Sequence, residues 1–215
     1  MAKKIHYDII LKNGKAVLPD GTMEVDIAIK GENISAIGNL SDCSADNIID
    51  CTGLHILPGV IDSQVHFREP GLENKENLES GMLAAAAGGV VAVFEMPNTS
   101  PLTITPETIE DKLSRASRVA WTDYAFYLGG TGRTGPNLGK WENAPGICGI
   151  KIFMGASTGD LLAASDDEVT SVLSNGKRVV AVHAEDQYIM EENMKTILGD
   201  SHDVSLHCKW RSPES

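Results

Sequence analysis

The segment Ile61-Asp62-Ser63-Gln64-Val65-His66-Phe67-Arg68-Glu69-Pro70-Gly71 delivers an imidazole, a guanidinium and a sharp turn to one place. The apolar lead-in Ile56-Leu57-Pro58-Gly59-Val60 predicts a strand, and Pro70-Gly71 stops it. A metal-ligand candidate beside a guanidinium suits hydrolysis of an anionic substrate. The arrangement recurs: Asn98 follows the apolar run 90–96, Lys151 lies within Cys148-Gly149-Ile150-Lys151-Ile152-Phe153-Met154, and His183 ends Val179-Val180-Ala181-Val182. One strand-end histidine is more often a satisfied structural residue. His66, Asn98, Lys151 and His183 on successive units, all at one rim, are hard to explain by packing. In a parallel α/β barrel that rim is where chemistry sits.

Lys151 discriminates best among them. Its flanks are apolar, and burying an isolated ammonium is costly, so it must pair, shift its pKa or be modified. Two readings weigh equally at this point. The stem reaches past the strand end to solvent, or carbon dioxide converts the amine to a carbamate, an anionic oxygen ligand able to bridge two metals.

Positioning these groups needs a scaffold. After Pro58-Gly59 the pattern is strand, loop, helix, repeated. A helix over 76–87 ends at Gly88-Gly89, and the continuous apolar run 90–96 predicts a strand covered on both faces. Thr105-Pro106-Glu107 opens a helix to about Arg118, with an N-cap, a first-position proline and an early acid. A strand over 122–128, a glycine-rich loop over 129–139 and a strand over 147–153 follow. Ser165-Asp166-Asp167-Glu168 caps a helix through Leu173, then come a strand over 179–183 and a helix near 188–198. These make about five β/α units, against the eight strands and about 250 residues of a closed barrel. The expected fold is α/β: a partial (β/α)8 TIM-type barrel of the metal-dependent hydrolase kind over 58–215, incomplete, preceded by a small β-sandwich module over 1–57. The stop after Trp210-Arg211-Ser212-Pro213-Glu214-Ser215 favours a truncated chain with exposed sheet edges and little or no turnover by itself.

In the first part, a strand over 7–12 ends at Asn13-Gly14, and 16–18 stops at Pro19-Asp20-Gly21. Residues 23–30 and 34–38 alternate apolar and polar, as half-buried strands do. The expectation is an antiparallel module forming one layer of a sandwich, with His6 and His55 structural.

Composition narrows the functional classes. A formal charge of -12 argues against nucleic acid and anionic membranes as partners. Cys43, Cys51, Cys148 and Cys208 form no CxxC pair, so free thiols in a reducing cytosol are expected, and no zinc ribbon. Behind Lys3-Lys4 there is no apolar signal-peptide core, and no segment approaches the roughly 20 apolar residues of a membrane span. A cytoplasmic location follows as the expectation.

Residues 60–71, Met96-Pro97-Asn98-Thr99, Ile150-Lys151-Ile152-Phe153 and Val182-His183-Ala184-Glu185 resemble successive motifs of dihydroorotase, in the amidohydrolase superfamily. The likeness extends over nearly the whole chain but only the N-terminal part of that family's length. It implies a zinc-dependent cyclic amidohydrolase that interconverts N-carbamoyl-L-aspartate and dihydroorotate in pyrimidine biosynthesis. His66 would then be a metal ligand, Lys151 the carbamylated bridge with a catalytic role, and His183 a ligand of the second metal. Arg68 and Asn98 would bind the substrate carboxylate, to which a guanidinium fork is matched. Related hydantoinases and allantoinases share the scaffold but lack that arginine. The implied cofactor is zinc, two ions in the family. The implied partners are a small-molecule substrate, and a homodimer mate or a pyrimidine-pathway protein.

Two departures from the family pattern stand out. Gln64 occupies the position of the first histidine in His-x-His, and an amide oxygen is a weak zinc ligand, so one site is short of a ligand. The family's later histidine and catalytic aspartate have no counterpart in this sequence. Gln64 motivates the alternative of a catalytically inactive scaffold or partner subunit, and a hydantoinase or allantoinase is a third reading. The remaining motifs carry less. Gly129-Gly130-Thr131-Gly132-Arg133-Thr134-Gly135 lacks the Lys-Ser/Thr ending of a P-loop and reads as a flexible loop. Gly155-Ala156-Ser157-Thr158-Gly159 reads as a connection, Asp186 as a helix start, and His202 and His207 as surface residues.

Overall fold

The computed structural model describes residues 5–155, 161–199 and 201–215. It divides into two compact units, Met1–Gly59 and Val60–Ser215. Lys3, Lys4 and, apart from Gly155, the 155–159 connection lie outside the described residues.

The first unit holds β1 (His6–Lys12), β2 (Lys15–Leu18), β3 (Gly21–Glu24), β4 (Asp26–Lys30), β5 (Asn33–Gly38), β6 (Ser44–Asp50) and β7 (His55–Ile56). They form two sheets, ordered β5-β4-β1-β6 and β3-β2-β7. The expected purely antiparallel module is corrected here, because β6 runs parallel to β1 and β7 parallel to β2. The expected single strand over 23–30 is also two strands, which change sheets at Val25. Asp26 pins that switch, its carboxylate accepting from the amides of Asn13 and Leu40 at 3.2 Å each. Ile10, Ala28 and Leu40 form the core of this unit. His6 bonds Ser44 Oγ and Asp46 Oδ1 at 3.0 Å, a structural tie between β1 and β6.

The second unit alternates β8 (Val60–Val65), α1 (Leu78–Ala87), β9 (Val90–Glu95), α2 (Pro106–Val119), β10 (Asp123–Gly130), α3 (Leu138–Trp141), β11 (Ile147–Phe153), α4 (Asp166–Asn175), β12 (Val180–His183), α5 (Gln187–Asn193) and α6 (His207–Trp210). Its strands make one five-stranded sheet in the order β12-β11-β10-β9-β8, parallel throughout. Sequential parallel order with crossover helices is the arrangement of a partial TIM-type barrel. Phe126, Leu128, Ile150 and Ile152 on the two central strands are buried against Ile109 and Val172 of the helices. The outer strands carry exposed Val60, Ile61 and Val182.

Local signals fix the helix starts. Thr105 and Thr108 close a reciprocal capping box, as do Ser165 and Glu168. The glycine-rich segment is not a flexible loop. Gly129 and Gly130 lie in β10, where a Cβ would come within 2.7 Å of Leu161 and of Val172 respectively. Glycine there permits close packing rather than motion. The chain then enters a 3-10 turn, Gly135–Asn137, and α3.

Candidate active site

His66 is the first residue past β8. Its Nδ1 lies 2.7 Å from Asn98 Oδ1, which is carried on the turn after β9. An amide oxygen only accepts, so Nδ1 holds the proton and Nε2 keeps its lone pair free. Burial holds this imidazole below the usual histidine range, against the pull of the Asn98 bond; the charges of Arg68, Lys151 and Lys112 add to the effect. A neutral ring oriented through its other nitrogen is the ligand form of histidine.

Strand β8 slips register between Asp62 and Val65, and Gln64 sits inside that bulge with its side chain exposed. Bulges re-aim side chains beside active sites. Arg68 has φ 66°, an uncommon left-handed backbone for a residue with a Cβ. Gly71 follows at φ 93°, and a Cβ there would stand 2.1 Å from the Ser100 carbonyl oxygen. The Ser100 amide donates to Pro70 O at 2.9 Å, so the turns after β8 and β9 are held together. Gly71→Ala is expected to cost about 1–3 kcal/mol, combining left-handed strain with a backbone clash. Urea denaturation reads that cost, and an unchanged midpoint would mean the two turns are not locked.

At the end of β9, Glu95 forms a buried ion pair with Lys112 of α2. Lys112 Nζ also donates to Met96 O at 3.1 Å. Burial, opposed by the lysine charge, raises the Glu95 carboxyl to about 7. Sequence reasoning missed this pair, although a lone acid in the apolar run 90–96 was a signal that a buried partner must exist.

Lys151 is placed differently from expectation. It is not at a strand end but inside β11, opposite Gly129 of β10 and Ala181 of β12, and 2% exposed. The reading in which its stem reaches solvent is therefore excluded. Its Nζ lies 4.9 Å from the Phe153 ring centroid, and no described residue accepts a hydrogen bond from it. Burial pushes the ammonium pKa down, towards the free amine. His183 ends β12 and is exposed, with Nε2 2.5 Å from Glu185 Oε2 and its ring 6.0 Å from that of Phe153. Glu185 in turn meets Arg211 Nη1 at 3.3 Å. Phe153 thus lies between Lys151 and His183, while His66, Arg68 and Asn98 cluster after β8 and β9. Beside Glu185 opens a cavity of about 310 Å³, lined in part by Met154, Val169, Ala184 and Tyr188. Asp186 caps α5, accepting from the Ile189 amide at 3.0 Å, and His207 is exposed, both as expected.

Among the described residues no three His, Cys, Asp or Glu side chains gather as a metal site. The donors that do fit a metal are fewer: a neutral, pre-oriented His66, the strand-end His183, and a buried lysine lacking an acceptor among the described residues. Such a lysine fits a metal only once it carries an anionic oxygen.

Residues 53–132 match the family model described as Dihydro-orotase-like. Over 194 residues the chain is 38% identical to an allantoinase of Desulfitobacterium hafniense, covering 87% of this chain and 42% of that protein. It is 34% identical to a dihydroorotase of Halobacterium salinarum, covering 93% and 46%. The solved L-hydantoinase (dihydropyrimidinase) of Arthrobacter aurescens superposes with a TM-score of 0.86 at 32% identity, covering 96% of this chain and 47% of that one. The chain is thus similar to hydrolases of cyclic amides and has part of their barrel fold, and it spans less than half the length of these relatives.

Proposed function

We propose that these strands belong to a metal-dependent cyclic amidohydrolase of the dihydroorotase type, opening dihydroorotate to N-carbamoyl-L-aspartate and closing it again. The observation that carries the proposal is Lys151, buried without an acceptor among the described residues, in a sheet where His66 follows strand β8 and His183 ends strand β12. As the free amine it would take up carbon dioxide with release of a proton, and the resulting carbamate would be a ligand shared by two metals, His66 Nε2 serving one and His183 the other. Zinc bound there would supply Lewis-acid polarisation of the ring amide carbonyl and a lowered pKa for water. The remaining work belongs to the chain. Arg68 and the Asn98 amide Nδ2 bind the substrate carboxylate, and Asn98 Oδ1 keeps the His66 tautomer fixed.

The likeness to an allantoinase and a hydantoinase supports a second reading, in which the ring carries no carboxylate. Arg68→Met separates the two in the full-length gene product. Under the first reading kcat/KM for dihydroorotate falls about 100-fold or more, the loss of a charged bidentate contact. Full activity of that variant on dihydroorotate, or wild-type preference for hydantoin or allantoin, would remove the carboxylate assignment.

A further inference from the structure

We propose that Lys112, a helix residue with no place in the ligand or substrate set, is a positioning residue that fixes the Asn98–His66 pair through the Met96 carbonyl. Asn98 stands two residues past Met96 on the turn leaving β9. The Met96 amide is held by Val65 O at 3.0 Å, the residue before His66. Its carbonyl is held by Lys112 Nζ at 3.1 Å. Met96 is therefore clamped on both sides, towards the His66 strand and towards α2. The clamp is buried: Met96 and Lys112 are 0% exposed and Glu95 1%. Glu95 neutralises the ammonium, so Lys112 can occupy that depth without leaving a lone charge. The second carboxylate oxygen, Oε1, has no partner among the described residues, so the pair is not arranged for maximal hydrogen bonding. What the pair does secure is the turn. With Met96 fixed, Asn98 Oδ1 meets His66 Nδ1 at 2.7 Å and the imidazole presents Nε2.

This positioning stands on the site geometry; it rests on the proposed function only for its catalytic consequence. The test is nitrogen-15 NMR of the His66 ring in the complete chain at pH 8, assigned with His66→Gln. Wild type should show a single tautomer with the proton on Nδ1. The double variant Glu95→Gln/Lys112→Met, which leaves no unpaired buried charge, should show averaged tautomers, and zinc affinity should fall about 10–100-fold. Lys112→Arg, able to reach the same carbonyl, should restore the single tautomer. A folded double variant with the wild-type His66 signals overturns the proposal. So does the absence, in the unmutated chain, of slowly exchanging Lys112 ammonium protons coupled to the Met96 carbonyl, whatever the variants do. Zinc binding that is absent from wild type contradicts the proposed function instead, and leaves the NMR result standing.

Discussion

Lys151→Met is expected to make the protein more stable, by about 1–3 kcal/mol, while abolishing zinc binding. Methionine matches the length of the lysine stem and has no charge to desolvate. Lys151 is 2% exposed, and among the described residues its ammonium meets no acceptor and lies over the Phe153 ring. A cation–π contact of about 0.5–2 kcal/mol does not offset burial of a charge. The sign of the pH dependence follows from the lowered pKa. Between that lowered value and the unfolded value of 10.5, the unfolded chain binds more protons than the folded one, so wild-type stability rises with pH there. The advantage of methionine is therefore largest at neutral pH and shrinks towards pH 10. Urea denaturation at the two pH values measures it. Destabilisation by methionine at pH 7 would mean that Lys151 has an anionic partner in solution. A buried group that costs stability without a visible structural return is what a functional residue looks like.

Lys112→Met is expected to do the opposite, costing about 3–5 kcal/mol at pH 8 because the Glu95 carboxylate loses its cation in an apolar interior. The cost should be smaller at pH 5. With Lys112 present the Glu95 carboxyl is already raised to about 7 from 4.5, and removing the cation raises it further. From 4.5 upward the folded state keeps a proton that the unfolded chain has released. Stability of the variant thus falls as pH rises through that window. At pH 5 the buried group is a neutral acid and the penalty is mostly a lost hydrogen bond. Urea midpoints of wild type and variant at pH 5 and 8 give the comparison, and equal losses at both would contradict a charged Glu95–Lys112 pair.

The barrel was legible because β9, β10 and β11 are apolar runs set between helix caps that the sequence spells out, Thr105 and Ser165 among them. Strand β6 was not: Ser-Ala-Asp-Asn-Ile-Ile-Asp has no alternation, its Ile48 and Ile49 are both exposed, and it is held as a strand by pairing with β1. Within the site, His66, Asn98 and His183 could be placed because each ends an apolar run. The depth of Lys151 could not, since it depends on Gly129 and Ala181 flanking it from other strands. The partner of Glu95 was hidden for the same reason: Lys112 looks like a solvent-facing helix lysine until α2 is laid on the sheet. The glycines of 129–130 misled because close packing and flexibility leave the same mark in a sequence.

That a Lys151 carbamate is a ligand shared by two metals, His66 serving one and His183 the other, is tested most directly by titrating zinc into the chain in carbon-13 bicarbonate and following the carbamate carbon by NMR. A carbamate resonance should appear as zinc binds, and both resonance and binding should be lost in Lys151→Met and sharply weakened in His66→Ala and His183→Ala. Zinc binding of equal strength in wild type and Lys151→Met, with no carbamate resonance in either, would contradict it.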